Sequence, residues 1–222
     1  MNKQIVLSAI AVTLLGSAAV LAAQAPPAQP MSFFVTSTTP TGSGNLGGLA
    51  GADTICQNLA AAAGAGNRTW HAYLSTQPAN GVAGVNARGR IGAGPWYNAK
   101  GVMIAANVGD LHGDNARDRN NIQKANMLDE KGNLIKGAGD MPNQHDILTG
   151  SDDDGRAFPA GLDTTCNNWT DATDDHKAML GHADRTGGGN ISWNSVHMST
   201  GCSAAKLIAT GGAGHLYCFA IN

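Results

Sequence analysis

The chain has 222 residues, a formal net charge of −2, 30 glycines and 14% charged residues. That length suffices for one full-sized domain with its own core, and the glycine content points to a turn-rich fold, not a helical bundle. The slightly acidic balance excludes the basic face that nucleic acid or an anionic membrane requires, since the longest basic cluster, Arg88-Gly89-Arg90, reads as a solvated loop.

Residues 1–25 read as an export signal. Lys3 supplies the positive start, Ile5 to Leu21 an apolar stretch, and Ala23-Gln24-Ala25 a cleavage site. A Pro-rich leader covers 26–30, and 31–222 is expected to form a single domain. No later segment is apolar enough to span a bilayer, so cleavage near Ala25 leaves a secreted or periplasmic protein with no membrane insertion. Cys56, Cys166, Cys202 and Cys218 all lie in the exported portion, where an oxidising compartment preserves disulfides. Four cysteines permit three pairings, and the spacing does not choose among them.

Met31 to Thr38 is apolar and β-branched, a first strand. Gly42 to Gly51 reads as a glycine-rich loop without the G-K-[ST] of a phosphate loop. Asp53 or Thr54 is placed to cap a helix running through Ile55, Cys56 and Leu59 to Ala63. Trp70 to Leu74 alternates like a strand, Gly81 to Gly94 is loop, and Val102 to Ala106 is a short apolar run of either type. Residues 109–126 form a polar surface loop, and Met127 to Ile135 two short strands around a turn at Gly132. Asp146 to Gly150 leads into the acidic turn Ser151-Asp152-Asp153-Asp154-Gly155-Arg156. His215 to Ile221 closes the chain as a strand, with Leu216, Cys218 and Ala220 on one face and Tyr217, Phe219 and Ile221 on the other. The class is α+β.

The cysteine-bearing segments, taken in order, carry a resemblance. They are Ala52 to Leu74 with Cys56 and W-H-A-Y-L-S, then G-S-D-D-D-G-R at Gly150 to Arg156. Thr165-Cys166-Asn167-Asn168-Trp169 follows, then Gly201-Cys202-Ser203, then the final Leu216-Tyr217-Cys218. The series resembles the endostatin domain of collagens XV and XVIII and the bacterial secreted proteins that share this variant of the C-type lectin-like fold. It covers roughly residues 31–222, most firmly at Ala52 to Leu74 and from Gly150 onward. The resemblance implies a C-type lectin-like (endostatin-like) domain with long loops and two nested disulfides, Cys56–Cys218 and Cys166–Cys202. On the chain-entropy model the inner bridge would contribute about 3–4 kcal/mol.

Several chemistries compete for the loops. Calcium needs six to eight oxygens. Asp152, Asp153 and Asp154 offer carboxylates, with Asp163, Asp171, Asp174 and Asp175 further along. The EF-hand order fails at Gly155, and the E-P-N or Q-P-D tripeptide of sugar-binding C-type lectins is missing, with Gln77-Pro78-Ala79 and Met141-Pro142-Asn143 the nearest approaches. For zinc, His71, His112, His145, His176, His182, His197 and His215 are available, but no H-E-x-x-H helix occurs. His145-Asp146 and Asp175-His176 set an imidazole beside a carboxylate, and the N-terminal histidines through which vertebrate endostatins hold zinc have no counterpart near Gln24 to Ser32. No G-x-S-x-G elbow is present. Trp70 and Trp169 read as core. Trp96 and Trp193 sit in Gly/Asn/Ser-rich loops where an exposed ring would stack on a sugar, although core packing is favoured for both.

The expectation is a secreted, non-catalytic lectin-like protein that binds a glycan or an extracellular protein through the region from Gln144 to Trp193. Its expected contact set is Asp152, Asp153, Asp154, Asn167, Asn168, Trp193 and Asn194, with any calcium on Asp152 and Asp154. The alternatives are a metal-dependent hydrolase using His/Asp pairs and a structural envelope protein.

Overall fold

The computed structural model describes residues 29–113, 119–187 and 191–222. The segment expected as an export signal and most of the expected leader lie outside those residues. In chain order the elements are β1 (Phe33–Val35), α1 (Gly48–Ala62), β2 (Trp70–Ala72), β3 (Trp96–Tyr97), β4 (Met103–Ala105), α2 (Val108–His112), β5 (Asp146–Leu148), α3 (Cys166–Trp169), β6 (Met179–His182), β7 (His197–Met198), α4 (Ala204–Thr210) and β8 (Gly212–Ala220).

The nine-residue β8 organises the main sheet, whose order is β1-β8-β5-β6-β7, with β2 also paired to β8. β1 and β2 run antiparallel to it, through Phe33↔Phe219 and His71↔Phe219, while β5 runs parallel through Leu148↔Leu216. β6 and β7 extend the sheet antiparallel beyond β5. Alternation along β8 divides the core as the sequence indicates. Leu216, Cys218 and Ala220 join one hydrophobic cluster, and Tyr217 and Phe219 join the other. β3 and β4 pair in a separate small sheet.

On the first face, α1 buries Ala52, Cys56 and Ala60, a four-residue spacing that keeps them on one stripe. Two of the three are alanines, so the helix approaches closely enough for Cys56 to bond Cys218. Cys166–Cys202 is the second bridge, and no free cysteine remains. The helix starts earlier than its capping residues suggest. Gly47, at φ 77°, forms the N-cap, and Gly48 to Gly51 are already helical. Asp53 is inside the helix and serves tertiary structure instead: its carboxylate accepts from Ala72 N at 2.9 Å and pairs with Arg90 Nη2 at 2.6 Å.

The turn around Gly132 forms as expected, with Leu128 bridged to Leu134 and Gly132 at φ 84°. The segment expected as one surface loop after residue 109 instead opens in α2, where the Asn107 side chain accepts from Asp110 N. Residues 114–118 of that segment lie outside the described ones. All four tryptophans are buried to 1% exposure or less. Among the described residues no helix is long and apolar enough to cross a membrane.

Candidate functional site

The expected contact set divides into three environments. Asp153 and Asp154 are exposed and Asp152 half-buried at a tight turn closed by Gly155 N to Asp152 O at 3.0 Å. Burial and the neighbouring Asp153 and Asp154 push the Asp152 carboxyl above its ordinary range, against the hydrogen bond it accepts from Arg156 N. The backbone carbonyls of this turn are committed: Asn194 Nδ2 donates to those of Asp152 and Asp153 at 3.1 Å, and Arg88 Nη1 to that of Asp154 at 3.0 Å. Among the described residues, no group of three or more converging His, Cys, Asp or Glu ligand atoms includes Asp152 or Asp154.

The core packing favoured for Trp193 is what the structure shows, and Asn194 of the expected contact set is buried with it. Trp193 packs on Tyr73 at 4.7 Å and Tyr217 at 5.3 Å between ring centroids, so neither face is free to stack on a ligand. Asn194 is equally buried, and its amide ties Tyr73 Oη to the acidic turn. Both are 1% exposed, so neither side chain offers surface for an outside contact.

Asn167 and Asn168 occupy an open polar pocket. Cys166, Asn167, Asn168 and Trp169 all have positive φ (48°, 52°, 53° and 67°), so α3 is a left-handed turn made without glycine. Such a conformation costs roughly 1–2 kcal/mol per residue. Its compensation is visible. The Asn168 side chain pairs with the main chain of Gln77, accepting from N at 2.8 Å and donating to O at 3.2 Å. Trp169 Nε1 donates to the buried Ser75 carbonyl at 2.7 Å, and Cys166 is fixed by its disulfide. Asp163 braces the turn by accepting from Thr165 N and Asn167 N, and its other neighbour is His176, 2.5 Å away. His176 also approaches Asp171 at 3.9 Å, so the ring lies between two aspartates. This open pocket has a volume of about 260 Å³ and is lined by Gln77, Pro78, Asp163, Asn167 and His176 among others.

A second constellation is built by the sheet. Asp146 on β5 lies directly opposite His182 on β6, and His197 on β7 lies opposite Leu180, one diagonal step from His182. Side chains two apart on a strand share a face, so the three converge. Asp146 Oδ1 lies 3.1 Å from His182 Nε2 and 3.8 Å from His197 Nε2, and the two Nε2 atoms are 3.1 Å apart. His145 completes the group, with Nδ1 2.9 Å from Asp184 Oδ1 and Nε2 3.4 Å from Asp146 Oδ1. Its adjacency to Asp146 is the fragment of this cluster that the sequence displays.

Electrostatically the cluster is divided. Asp184 is well satisfied: burial opposes its charge, but Ala138 N, Thr186 and His145 together hold its carboxyl below the usual range. Asp146 is 2% exposed, and neither of its carboxylate oxygens accepts a hydrogen bond of good geometry, despite the short separation from His182. Burial disfavours the His182 imidazolium, yet the Asp146 carboxylate outweighs it and raises the ring's pKa above its ordinary value.

No protein-family model matches this chain, and no curated protein does. What these sites do is therefore argued from their own chemistry.

Proposed function

We propose that this chain is an exported, disulfide-pinned binding domain of the C-type lectin-like, endostatin-related kind, and that it recognises a carbohydrate at the pocket beside α3. The observation that carries the reading is the left-handed turn: four consecutive non-glycine residues held in a sparsely populated conformation, with Asn167 exposed at the rim of a polar cavity. Strain of this kind clusters at ligand sites and is retained where the surroundings over-determine it. The lining suits a polyhydroxylated ligand. Asp163 accepts hydrogen bonds, Asn167 both donates and accepts, and the Pro78 ring and Ala79 methyl offer an apolar patch for a sugar face. The two disulfides support placement in an oxidising compartment.

A glycan array of the oxidised mature protein, run in calcium and again in EDTA, tests the proposal. Carbohydrate binding that survives EDTA and falls at least 10-fold in Asn167→Ala supports it. Binding abolished by EDTA would move the site to a cation, and no binding in either condition would point to a protein partner.

A further inference from the structure

We infer that Asp146, His182 and His197 form a binding site for one zinc ion, with three protein ligands and a fourth position on the solvent side. It is independent of the carbohydrate reading, resting on other residues in another part of the sheet.

The geometry of the three donor atoms is the first support. Ligands about 2.0–2.1 Å from a tetrahedral zinc sit about 3.3–3.4 Å from one another. The observed separations of 3.1, 3.1 and 3.8 Å bracket that edge length. The rings of His182 and His197 cross at 74°, an arrangement in which both Nε2 lone pairs can meet at one point.

Hydrogen positions give a second, independent argument. A carbonyl oxygen can only accept, so His197 Nδ1, 3.1 Å from Met198 O, carries the hydrogen. In the neutral ring the His197 Nε2 lone pair then faces His182 Nε2 and Asp146 Oδ1. Without a metal, that lone pair can accept only from His182 Nε2, which leaves the buried Asp146 oxygens without a well-directed hydrogen bond. A buried carboxylate without a well-directed hydrogen bond is poorly satisfied even beside an imidazole, and a cation at the common point satisfies all three donors at once.

His145 belongs to the surroundings and not to the ligand set. It stacks on His182 with centroids 4.1 Å apart and planes only 15° from parallel. A metal lies near the plane of each imidazole that binds it, and two nearly parallel stacked planes share no such point. His145 instead links Asp184 to the edge of Asp146, the outer-shell role that carboxylate–histidine pairs play around bound metals. The ligand set is thus two histidines and one carboxylate, and the side chain of His197 is 35% exposed, so water or a donor from a bound molecule can reach the remaining position. A borderline cation without redox chemistry suits nitrogen and oxygen donors in a disulfide-bearing protein.

Purified protein is loaded with zinc, dialysed, and analysed for metal by mass spectrometry, with cobalt(II) substitution read by visible absorption. The expected result is one zinc per chain and an intense tetrahedral cobalt spectrum. Asp146→Asn and His197→Ala are each expected to lose at least about 100-fold in affinity, His145→Ala roughly 10-fold, and Asp154→Asn nothing. If the buried variants fail to fold, imidazole ¹⁵N shifts of the wild type decide. On adding zinc, Nε2 of His182 and His197 should move while those of His71 and His176 stay. Wild type that retains no zinc, variants that retain it fully, or shifts at His71 or His176 in place of His182 and His197 would overturn the assignment.

Discussion

The acidic turn at Asp152–Asp154 and the sheet site at Asp146 are both rich in carboxylate, but they are built in opposite ways. The turn is contiguous in sequence, largely exposed, and spends its backbone carbonyls on Asn194 and Arg88. Asp153 and Asp154 face water, where an exposed carboxylate needs no partner, and Asp152 is only half-buried. The sheet site draws Asp146, His182 and His197 from three adjacent strands, and it buries a carboxylate with no conventional hydrogen-bond donor. Density of charge along a chain is therefore a poor guide to a cation site. Convergence of few donors under low solvation is the better one.

That contrast can be broken or sharpened by substitution. The largest effect is expected at Trp193, which combines a place in the expected contact set with full burial in the core. Trp193→Ala should cost about 3–5 kcal/mol in a urea melt, because it empties a packed position against Tyr73 and Tyr217. A change below 1 kcal/mol would return Trp193 to the surface. Gly181→Ala comes next. The added Cβ would lie 1.9 Å from the Trp193 carbonyl oxygen, so β6 and the segment leading to β7 must separate. We expect a loss of about 3 kcal/mol, with weakened zinc binding in the fraction that folds.

A smaller effect separates the carboxylates by pH. In metal-free protein the His182 pKa is raised above the unfolded value of about 6.5. The stabilisation from its pairing with Asp146 is thus fully present below about pH 6.5 and is lost as pH rises through the folded-state pKa. His215 has the opposite sign. Burial lowers its pKa, both ring nitrogens lack partners, and the unfolded chain takes up the proton first. Its contribution therefore falls as pH drops below about 6.5. NMR titration in EDTA should place the His182 midpoint above the ordinary value, and Asp146→Asn should bring it down while Asp152→Asn leaves it in place. Equal shifts from both variants would erase the distinction. The smallest effect is expected for Asp154→Asn, within about 0.5 kcal/mol of wild type.

Much of the scaffold is legible in the chain. The alternation from Leu216 to Phe219 assigns both faces of β8, and the Gly132 turn follows from its flanking residues. Helix α1 is legible in its body but not its start: Gly47, with positive φ, forms the N-cap, and Asp53 lies inside the helix, accepting from Ala72 N. The candidate sites are less legible. Asn167 and Asn168 can be singled out, but nothing local announces four consecutive left-handed residues, since their stability comes from Gln77 and Ser75 some ninety positions away. His145-Asp146 is a visible pair, whereas His197 reaches it only through β7, a strand of two residues too short to carry a periodic pattern. Register across β5, β6 and β7, which is a property of the folded sheet, assembles the rest.

The most direct test of this contrast is anomalous diffraction at the zinc edge from crystals of the mature protein soaked in zinc. A single strong peak about 2.0–2.2 Å from Asp146 Oδ1, His182 Nε2 and His197 Nε2 is the predicted result. A peak at the Asp152–Asp154 turn with none at Asp146 would contradict the account.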